Sequence, residues 1–165
     1  MSISADLIDL ESAVRSFRRG VSETSGDGLS PRNWSEADWR ELFRFASIRR
    51  VAAGEALIRR GEPDRTLYFV LDGALEVVVH SGDGMSMGPL TRTGAGSVLG
   101  EQSFFDGNPR SASVWAVGDC AVAAMTVEQY EKLEVAKPGI ARDLLFALGR
   151  ILALRLRRTT AKVMG

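Results

Sequence analysis

Residues 99–114 of the chain, LGEQSFFDGNPRSASV, decide the fold. One carboxylate, Glu101, directly follows a glycine, and one guanidinium, Arg110, directly follows a proline. Two phenylalanines and the turn sequence DGNP lie between these two charges. We expect a short hydrophobic hairpin here, with the acid at one end and the arginine at the other.

The two charged ends suit different chemical groups. The planar guanidinium of Arg110 matches a pair of phosphate oxygens, and Ser111 adds a hydroxyl beside it. The backbone near Gly100 and Gln102 can expose N–H groups that form an anion-binding turn. An ionised carboxylate only accepts hydrogen bonds, so Glu101 suits a sugar hydroxyl. A ligand with one phosphate and an adjacent ribose hydroxyl meets both demands. The alternative is a structural ion pair between Glu101 and Arg110.

Short strands separated by glycine-containing turns are predicted around this stretch, from residue 48 to about residue 126. Seven or eight strands at this spacing indicate a sandwich, a barrel or a jelly roll. The predicted strand segments are EALIRR, TLYFVL, ALEVVVH, SMGPLTR, SVLGEQSFF, SASVWAV and CAVAAMT. His80 ends one of these apolar runs, and we expect it at the surface end of a strand.

A helix is predicted over residues 3–20, because apolar residues recur there at steps of three and four. The members of this stripe are Leu7, Leu10, Val14 and Phe17. Residues 22–33 are polar and rich in glycine and serine, which is typical of a loop or linker. Ser35 with Asp38 predicts the N-cap of a second helix. We therefore divide the chain into an N-terminal helix and linker, residues 1–33, and a main domain, residues 34–165.

After the strands the pattern returns to helix, first over residues 127–136 and then over residues 140–165. The last helix carries two apolar stripes, so it has two surfaces to cover. One stripe consists of Ile140, Leu144, Ile151 and Leu154, and the other of Leu145, Leu148 and Leu152. The first stripe can pack on the strands, and the second predicts a homodimer through this helix. The alternative is a single helix that is buried within one chain.

The composition sets the general class of protein. Hydrophobic residues make up 45% of the 165 residues, which is enough for one domain with a core. Lys plus Arg and Asp plus Glu each number 21, and this balance gives no general attraction to nucleic acid or to an anionic membrane. The single cysteine, Cys120, cannot form an internal disulfide. We therefore expect a cytoplasmic protein.

His80 is the only histidine, and this limits the possible chemistry. One competing class is a metal-dependent jelly-roll enzyme, which needs several histidine and carboxylate ligands inside the barrel. With one histidine at a strand end, we expect neither enzyme activity nor a metal site. A second competing class is a structural or interaction module whose pocket stays empty. Loss of Glu101 or Arg110 would mark that class, and both residues are present.

The pattern G-E-x-x-x-F-x-x-x-P-R-S-A-S-V resembles the phosphate-binding cassette of the cyclic nucleotide-binding domain family. The segment GEALIRRGEPDRTLYFVLDGALEVVV is similar to the opening strands of that family. The resemblance runs from about Trp34 to the C-terminus. It implies a mainly β fold, a β-roll of the jelly-roll type, with N-terminal helices before it and a long C-terminal helix after it.

The resemblance also implies roles for the cassette residues. Glu101 would bind the ribose 2′-hydroxyl, Arg110 would neutralise the cyclic phosphate, Ser111 would hold a phosphate oxygen, and Gly100 would shape the turn. Gln102 and Ala112 complete the cassette part of the expected ligand-binding set.

The last helix would close over the base. In the catabolite activator branch of the family, two adjacent hydroxyl residues on this helix contact adenine, one from each subunit of a dimer. The segment RLRRTTAKV is similar to that stretch, with Thr159 and Thr160 in the matching places. Arg155, one turn earlier, matches an arginine that lies near the cassette acid.

The expected function is a cytoplasmic sensor that prefers cyclic AMP and signals to an unknown protein effector through movement of its last helix. The alternatives are a cyclic GMP-binding module and a ligand-free interaction module. Catabolite activators continue into a helix-turn-helix domain, whereas this sequence ends at Gly165, so we expect no direct DNA binding.

Overall fold

The computed structural model describes residues 8–24, 26–80 and 87–165, without the side chains of residue 80 and residues 87–90. The helices are α1 (Leu10–Glu23), α2 (Glu36–Arg44), α3 (Glu101–Asp106), α4 (Val127–Ala136) and α5 (Pro138–Met164). The strands are β1 (Ser47–Val51), β2 (Ala56–Ile58), β3 (Leu67–Asp72), β4 (Leu75–His80), β5 (Met87–Thr93), β6 (Val98–Leu99), β7 (Ser113–Ala116) and β8 (Cys120–Met125). Among these helices none is long and apolar enough to cross a bilayer.

The strands form two antiparallel sheets of four strands each. We call the sheet of order β1-β8-β3-β6 the helix-facing sheet and the sheet of order β2-β7-β4-β5 the cavity sheet. Helices precede and follow the strands along the chain. The predicted β-roll with N-terminal helices and a long C-terminal helix is confirmed. The predicted surface position of the His80 side chain lies outside the described residues.

The central strands of the helix-facing sheet, β3 and β8, are buried on both faces. In β3, Leu67, Phe69 and Leu71 belong to the core shared with the helices, whereas Tyr68 and Val70 belong to the core between the two sheets. Successive side chains of a strand point to opposite faces, so a strand covered on both sides must be apolar at nearly every position. This explains why the segment TLYFVL reads as a continuous apolar run.

The predicted strand SVLGEQSFF is wrong in its second half, and so is the predicted hairpin. Strand β6 ends at Leu99, and the next residues form the short helix α3. Gly100 turns the chain with φ 82°, in the left-handed region that glycine adopts readily. Glu101 and Phe104, three residues apart, are both buried, as expected for one face of a helix. A helix of 6 residues is too short to show this period in the sequence.

Helix α1 packs into the same core as the helix-facing sheet. The ring of Phe17 lies 5.7 Å from that of Trp39, 5.4 Å from that of Phe43 and 5.8 Å from that of Phe69. Val14 is also buried, as the apolar stripe predicts, while Leu7 lies outside the described residues. The segment after α1 also contributes to this core, in which Leu29 is fully buried. The predicted N-cap is confirmed, since Ser35 and Asp38 form a capping box at the start of α2.

The prediction that Leu148 faces a second copy of the chain is wrong. Leu148 is fully buried within one chain, together with Leu144 and Ile151 on the same side of α5. A different apolar row on α5 faces outward, and we call it the outer stripe. Its members are exposed and are spaced alternately by three and four residues: Phe146, Gly149, Ala153, Leu156, Thr160 and Val163. This spacing is the heptad pattern of helices that pair along their length.

The backbone of α1 touches the turn between β5 and β6. A Cβ atom added to Gly20 would lie 2.3 Å from the carbonyl carbon of Ala95. A Cβ atom added to Gly96, whose φ is +89°, would lie 2.3 Å from the backbone nitrogen of Val21. Two glycines therefore allow a direct backbone contact, which fixes the end of α1 against the β-roll.

We predict that Gly20→Ala destabilises the protein. The added methyl group meets backbone atoms that cannot move away, and such overpacking costs about 1–3 kcal/mol, more than the helix propensity gained. Urea unfolding followed by circular dichroism measures the free energy of unfolding. Gly139→Ala is the matched control, because its Cβ would meet nothing within 4 Å. A Gly20→Ala variant as stable as the wild type would contradict the proposed contact.

Candidate functional site

A cavity of about 610 Å³ lies beside the first turn of α3. Its walls come from the cavity sheet, α3, the second half of α5 and the end of α1 with the turn that follows it. This volume is within the range of about 300–1,000 Å³ that is typical of small-molecule sites. Eight of the nine predicted ligand-binding residues line this cavity: Gly100, Glu101, Gln102, Arg110, Ser111, Ala112, Arg155 and Thr159. The ninth, Thr160, is exposed on the outer stripe.

Arg110 is a buried charge with an incomplete set of partners. Its side chain is 2% exposed, and Nη2 donates hydrogen bonds to the Asp64 carboxylate at 2.5 Å and to the carbonyl oxygen of Thr66 at 2.6 Å. Nη1 donates to the carbonyl oxygen of Gly100 at 3.1 Å. The buried Nε has no hydrogen-bond partner among the described residues. A buried donor without a partner costs about 1–3 kcal/mol, and Arg110 lines the cavity, so its Nε is a candidate donor to a ligand.

Asp64 keeps the Arg110 charge compensated. Burial alone would raise the pKa of the Asp64 carboxyl, but hydrogen bonds from Arg110 and Thr66 outweigh it and hold the pKa below its usual range. Asp64 is therefore ionised at neutral pH. Asp64 was not among the predicted site residues, because nothing in the sequence connects it to an arginine 46 positions later. The only local signal is the D-R-T order, which is typical of an Asx turn, and Thr66 indeed donates to Asp64.

Position 100 requires a glycine because of its backbone conformation and because of the atoms that lie close to it. A Cβ atom at this position would lie 2.5 Å from Nη1 of Arg110 and 2.6 Å from the carbonyl oxygen of Thr66. Any larger residue would displace the guanidinium. The close approach of backbone and arginine therefore depends on glycine.

Glu101 is 5% exposed, and its partner is an arginine of the last helix. Nη1 of Arg155 donates to Oε1 of Glu101 at 2.6 Å, and Nη2 of Arg155 donates to the carbonyl oxygen of Val98 at 2.8 Å. The alternative of a structural ion pair between Glu101 and Arg110 does not describe this geometry, since each charge has a different partner. A carboxylate has about four lone-pair sites, so Glu101 can accept a further hydrogen bond from a ligand.

Two polar contacts hold α3 in place. At its start, Oγ of Ser111 donates to Oε1 of Gln102 at 2.8 Å. At its end, Arg65 donates to the carbonyl oxygens of Ser103 at 3.2 Å and Phe104 at 2.8 Å. The terminal carbonyl groups of a helix lack partners within the helix, and Arg65 supplies hydrogen-bond donors to two of them. Arg65 was not among the predicted site residues, because an exposed arginine in a turn carries no distinctive sequence pattern.

The two threonines of α5 point to different surroundings. Thr159 lines the cavity, whereas Thr160 lies on the outer stripe. Their hydroxyl groups donate to the carbonyl oxygens of Arg155 at 3.1 Å and Leu156 at 3.0 Å, one helical turn earlier. Each hydroxyl oxygen retains lone pairs that can accept a hydrogen bond from a ligand.

The N-terminal part of the chain also reaches the cavity, which the sequence analysis did not predict. Glu23, Thr24 and Asp27 are lining residues, and Nη1 of Arg158 donates to Oδ2 of Asp27 at 2.8 Å. Polar residues in a glycine-rich stretch look the same whether they face solvent or a cavity, so no sequence signal was available.

The cavity as a whole combines a buried guanidinium, that of Arg110, with a buried carboxylate, that of Glu101. Across the described ranges, no group of three or more potential metal-ligating side chains lies close together.

Comparison with known proteins identifies the architecture. The family model described as cyclic nucleotide-binding domain matches residues 48–134, more than half of the chain. The cAMP-activated global transcriptional regulator CRP of Haemophilus influenzae is 34% identical over 127 residues, which is 76% of this chain and 54% of that protein. The chain thus spans about half the length of the curated relatives that it matches.

Solved structures of other proteins share this fold. A cyclic nucleotide-binding domain from Methylobacillus flagellatus superposes with a TM-score of 0.78 at 22% identity, covering 93% of this chain and 84% of that one. The catabolite activator protein of Thermus thermophilus superposes with a TM-score of 0.71 at 25% identity, covering 80% of this chain and 60% of that one. The sequence match across β1 to α4 and the shared fold lead to one conclusion: the chain belongs to the cyclic nucleotide-binding domain family, and it is similar to the catabolite activators.

Proposed function

We propose that this protein is a cytoplasmic sensor that prefers cyclic AMP, binds it without chemical conversion and transmits binding through α5 to a protein effector. The observation that carries the proposal is the buried Arg110 guanidinium, whose Nε lacks a partner, in the same cavity as the buried Glu101 carboxylate. A cyclic phosphate supplies the missing acceptor, and a ribose hydroxyl supplies a donor to the carboxylate.

The charge balance around Arg110 favours a monoanionic phosphate. The arginines that line the cavity are each paired with a carboxylate, so a strongly anionic ligand would meet no uncompensated cation among the described residues; they are Arg92, Arg110, Arg155 and Arg158. A cyclic mononucleotide carries one negative charge on its phosphate. A cyclic dinucleotide carries two phosphates and would need a second cation at the phosphate end.

The base would lie against α5. Thr159 lines the cavity, and a threonine hydroxyl can accept a hydrogen bond from the amino group of adenine. Relatives of this chain include regulators described as cAMP-activated, which supports cyclic AMP as the preferred ligand. A hydroxyl also donates to carbonyl groups, so cyclic GMP is the second candidate.

The outer stripe supports a homodimer through α5. Phe146 is 78% exposed, Leu156 is 67% exposed and Val163 is 79% exposed, and these side chains follow one line along the helix. Pairing two copies of α5 along this line would bury them. Thr160 lies on the same line, so the dimer would bring it toward the cavity of the partner subunit.

The first prediction of this function concerns the phosphate. Arg110→Ala should weaken cyclic AMP binding by on the order of 2–5 kcal/mol, because a buried charge-assisted contact is lost. Isothermal titration calorimetry measures the dissociation constant. Arg44→Ala, which removes an exposed arginine that pairs with Glu41 on α2, is the matched control. Since Arg110 is buried, Arg110→Lys is tested in parallel, and it should lose affinity while it keeps a positive charge. Unchanged affinity in both folded Arg110 variants would refute the phosphate assignment.

The second prediction concerns the ribose. If Glu101 accepts a hydrogen bond from the 2′-hydroxyl, 2′-deoxy cyclic AMP should bind the wild type at least about tenfold more weakly than cyclic AMP. In Glu101→Ala the two ligands should bind almost equally, because a double-mutant comparison isolates this pair. Equal binding of both ligands to the wild type would show that Glu101 does not contact the ribose.

The third prediction concerns the base. Cyclic AMP should bind more tightly than cyclic GMP, by about 1–3 kcal/mol, since one or two mispaired hydrogen bonds set the difference. The double change Thr159→Val, Thr160→Val should reduce this preference, and parallel titrations measure it. A tighter cyclic GMP complex, or a preference that survives the double change, would count against base recognition by the threonines.

The fourth prediction concerns the dimer. Leu156→Glu places a charge on the outer stripe and should give monomers in light scattering, without loss of the fold by circular dichroism. The matched control is Glu131→Ala on α4, which should leave the oligomeric state unchanged. A wild-type protein that remains monomeric at high concentration would rule out this interface.

A further inference from the structure

The cavity has a wall that lies outside the segment matched by the family model, which begins at residue 48. Glu23 and Thr24, at the end of α1, and Asp27, in the turn that follows, line the same cavity as Arg110 and Glu101. We call these three residues the N-terminal wall. Two of its three residues, Glu23 and Asp27, are acidic, and the buried Arg110 lines the same cavity.

The N-terminal wall is fixed in place by backbone contacts on both of its sides. Before it, Gly20 touches the turn between β5 and β6, and the backbone N–H of Thr24 donates to the carbonyl oxygen of Gly20 at 3.0 Å. After it, Leu29 is fully buried, and its N–H donates to the carbonyl oxygen of Gly96 at 3.4 Å. The wall therefore has a defined position relative to the β-roll.

Helix α5 relates the position of Asp27 to that of Glu101. Arg155 pairs with Glu101, and Arg158, three residues later, pairs with Asp27. Three residues of α-helix rise about 4.5 Å, so Asp27 lies roughly one turn further along α5 than Glu101. In a nucleotide, the base is attached to the ribose carbon next to the one that carries the 2′-hydroxyl. A ligand that places this hydroxyl on Glu101 and extends along α5 therefore directs its base toward Thr159 and Asp27.

The chemistry of the wall selects the part of the ligand that can lie against it. Ionised carboxylates repel a phosphate and accept hydrogen bonds from amino groups. Oδ2 of Asp27 accepts one hydrogen bond from Arg158, and a carboxylate has capacity for several. The unpartnered Nε of Arg110, in a side chain that is 2% exposed, independently favours Arg110 as the partner of the anionic group.

We propose that the N-terminal wall is part of the nucleotide site, and that Asp27 accepts a hydrogen bond from the exocyclic amino group of the base. Asp27 is then a specificity-determining residue outside the family segment, and the amino group of the base is a recognised feature of the ligand. This inference rests on the proposed function, since it takes a cyclic nucleotide as the ligand.

The test compares cyclic AMP with purine riboside 3′,5′-cyclic phosphate, which lacks the amino group, by calorimetric titration of the full chain. The wild type should bind cyclic AMP about tenfold more tightly than the analogue, because the half-buried Asp27 carboxylate loses its donor. In Asp27→Ala this ratio should fall to about two, mainly through weaker cyclic AMP binding, since the analogue never used the contact. Glu131→Ala, which removes an exposed carboxylate from α4, should keep the wild-type ratio.

Arg158→Ala separates base recognition from a purely structural ion pair. If Asp27 contacts the base, Arg158→Ala should retain most of the preference for cyclic AMP. If the ratio of the two affinities is the same in Asp27→Ala as in the wild type, the inference is wrong while the proposed function stands. A wild type that binds neither ligand would overturn the proposed function together with this inference.

Discussion

The structure depends on the buried guanidinium of Arg110. A charge removed from water is tolerated only when it is paired and hydrogen-bonded, and the protein assembles Asp64 and the carbonyl oxygens of Thr66 and Gly100 for this purpose. These partners come from the segment before β3 and the segment after β6, so the arginine ties distant parts of the chain together. Gly100 has to be glycine because the guanidinium lies against its backbone. Among the described residues the Nε of Arg110 has no hydrogen-bond partner, and the proposed function gives this donor to the phosphate of the ligand.

Much of this arrangement could be predicted from the sequence where local patterns determine it. The continuous apolar run of β3 follows from burial on both faces, and the boundaries of α4 match the predicted residues 127–136. The cassette was recognisable because an acid, a proline, an arginine and small residues occur at a fixed spacing. These features are determined by residues that are close in the sequence, so they can be predicted without knowledge of the tertiary structure.

The remaining features depend on contacts between distant residues. Asp64 compensates Arg110 across 46 positions, and the acidic wall around Asp27 reaches the cavity only because two glycines let α1 touch the β-roll. The assignment of Leu148 to a dimer surface failed for a related reason. A helix with apolar residues on several sides does not reveal which side its own chain covers, and here the core takes the side of Leu148.

Through these contacts α5 forms part of the cavity wall. Arg155 and the ribose of a bound nucleotide would share the Glu101 carboxylate, and Arg158 pairs with Asp27 of the N-terminal wall. A ligand shifts a conformational equilibrium only by binding one state more tightly than another. Because a docked α5 completes the site, we infer that a cyclic nucleotide binds this state more tightly than any state with α5 displaced. By linkage, an effector that captures docked α5 would raise nucleotide affinity by the same factor as the nucleotide raises affinity for the effector.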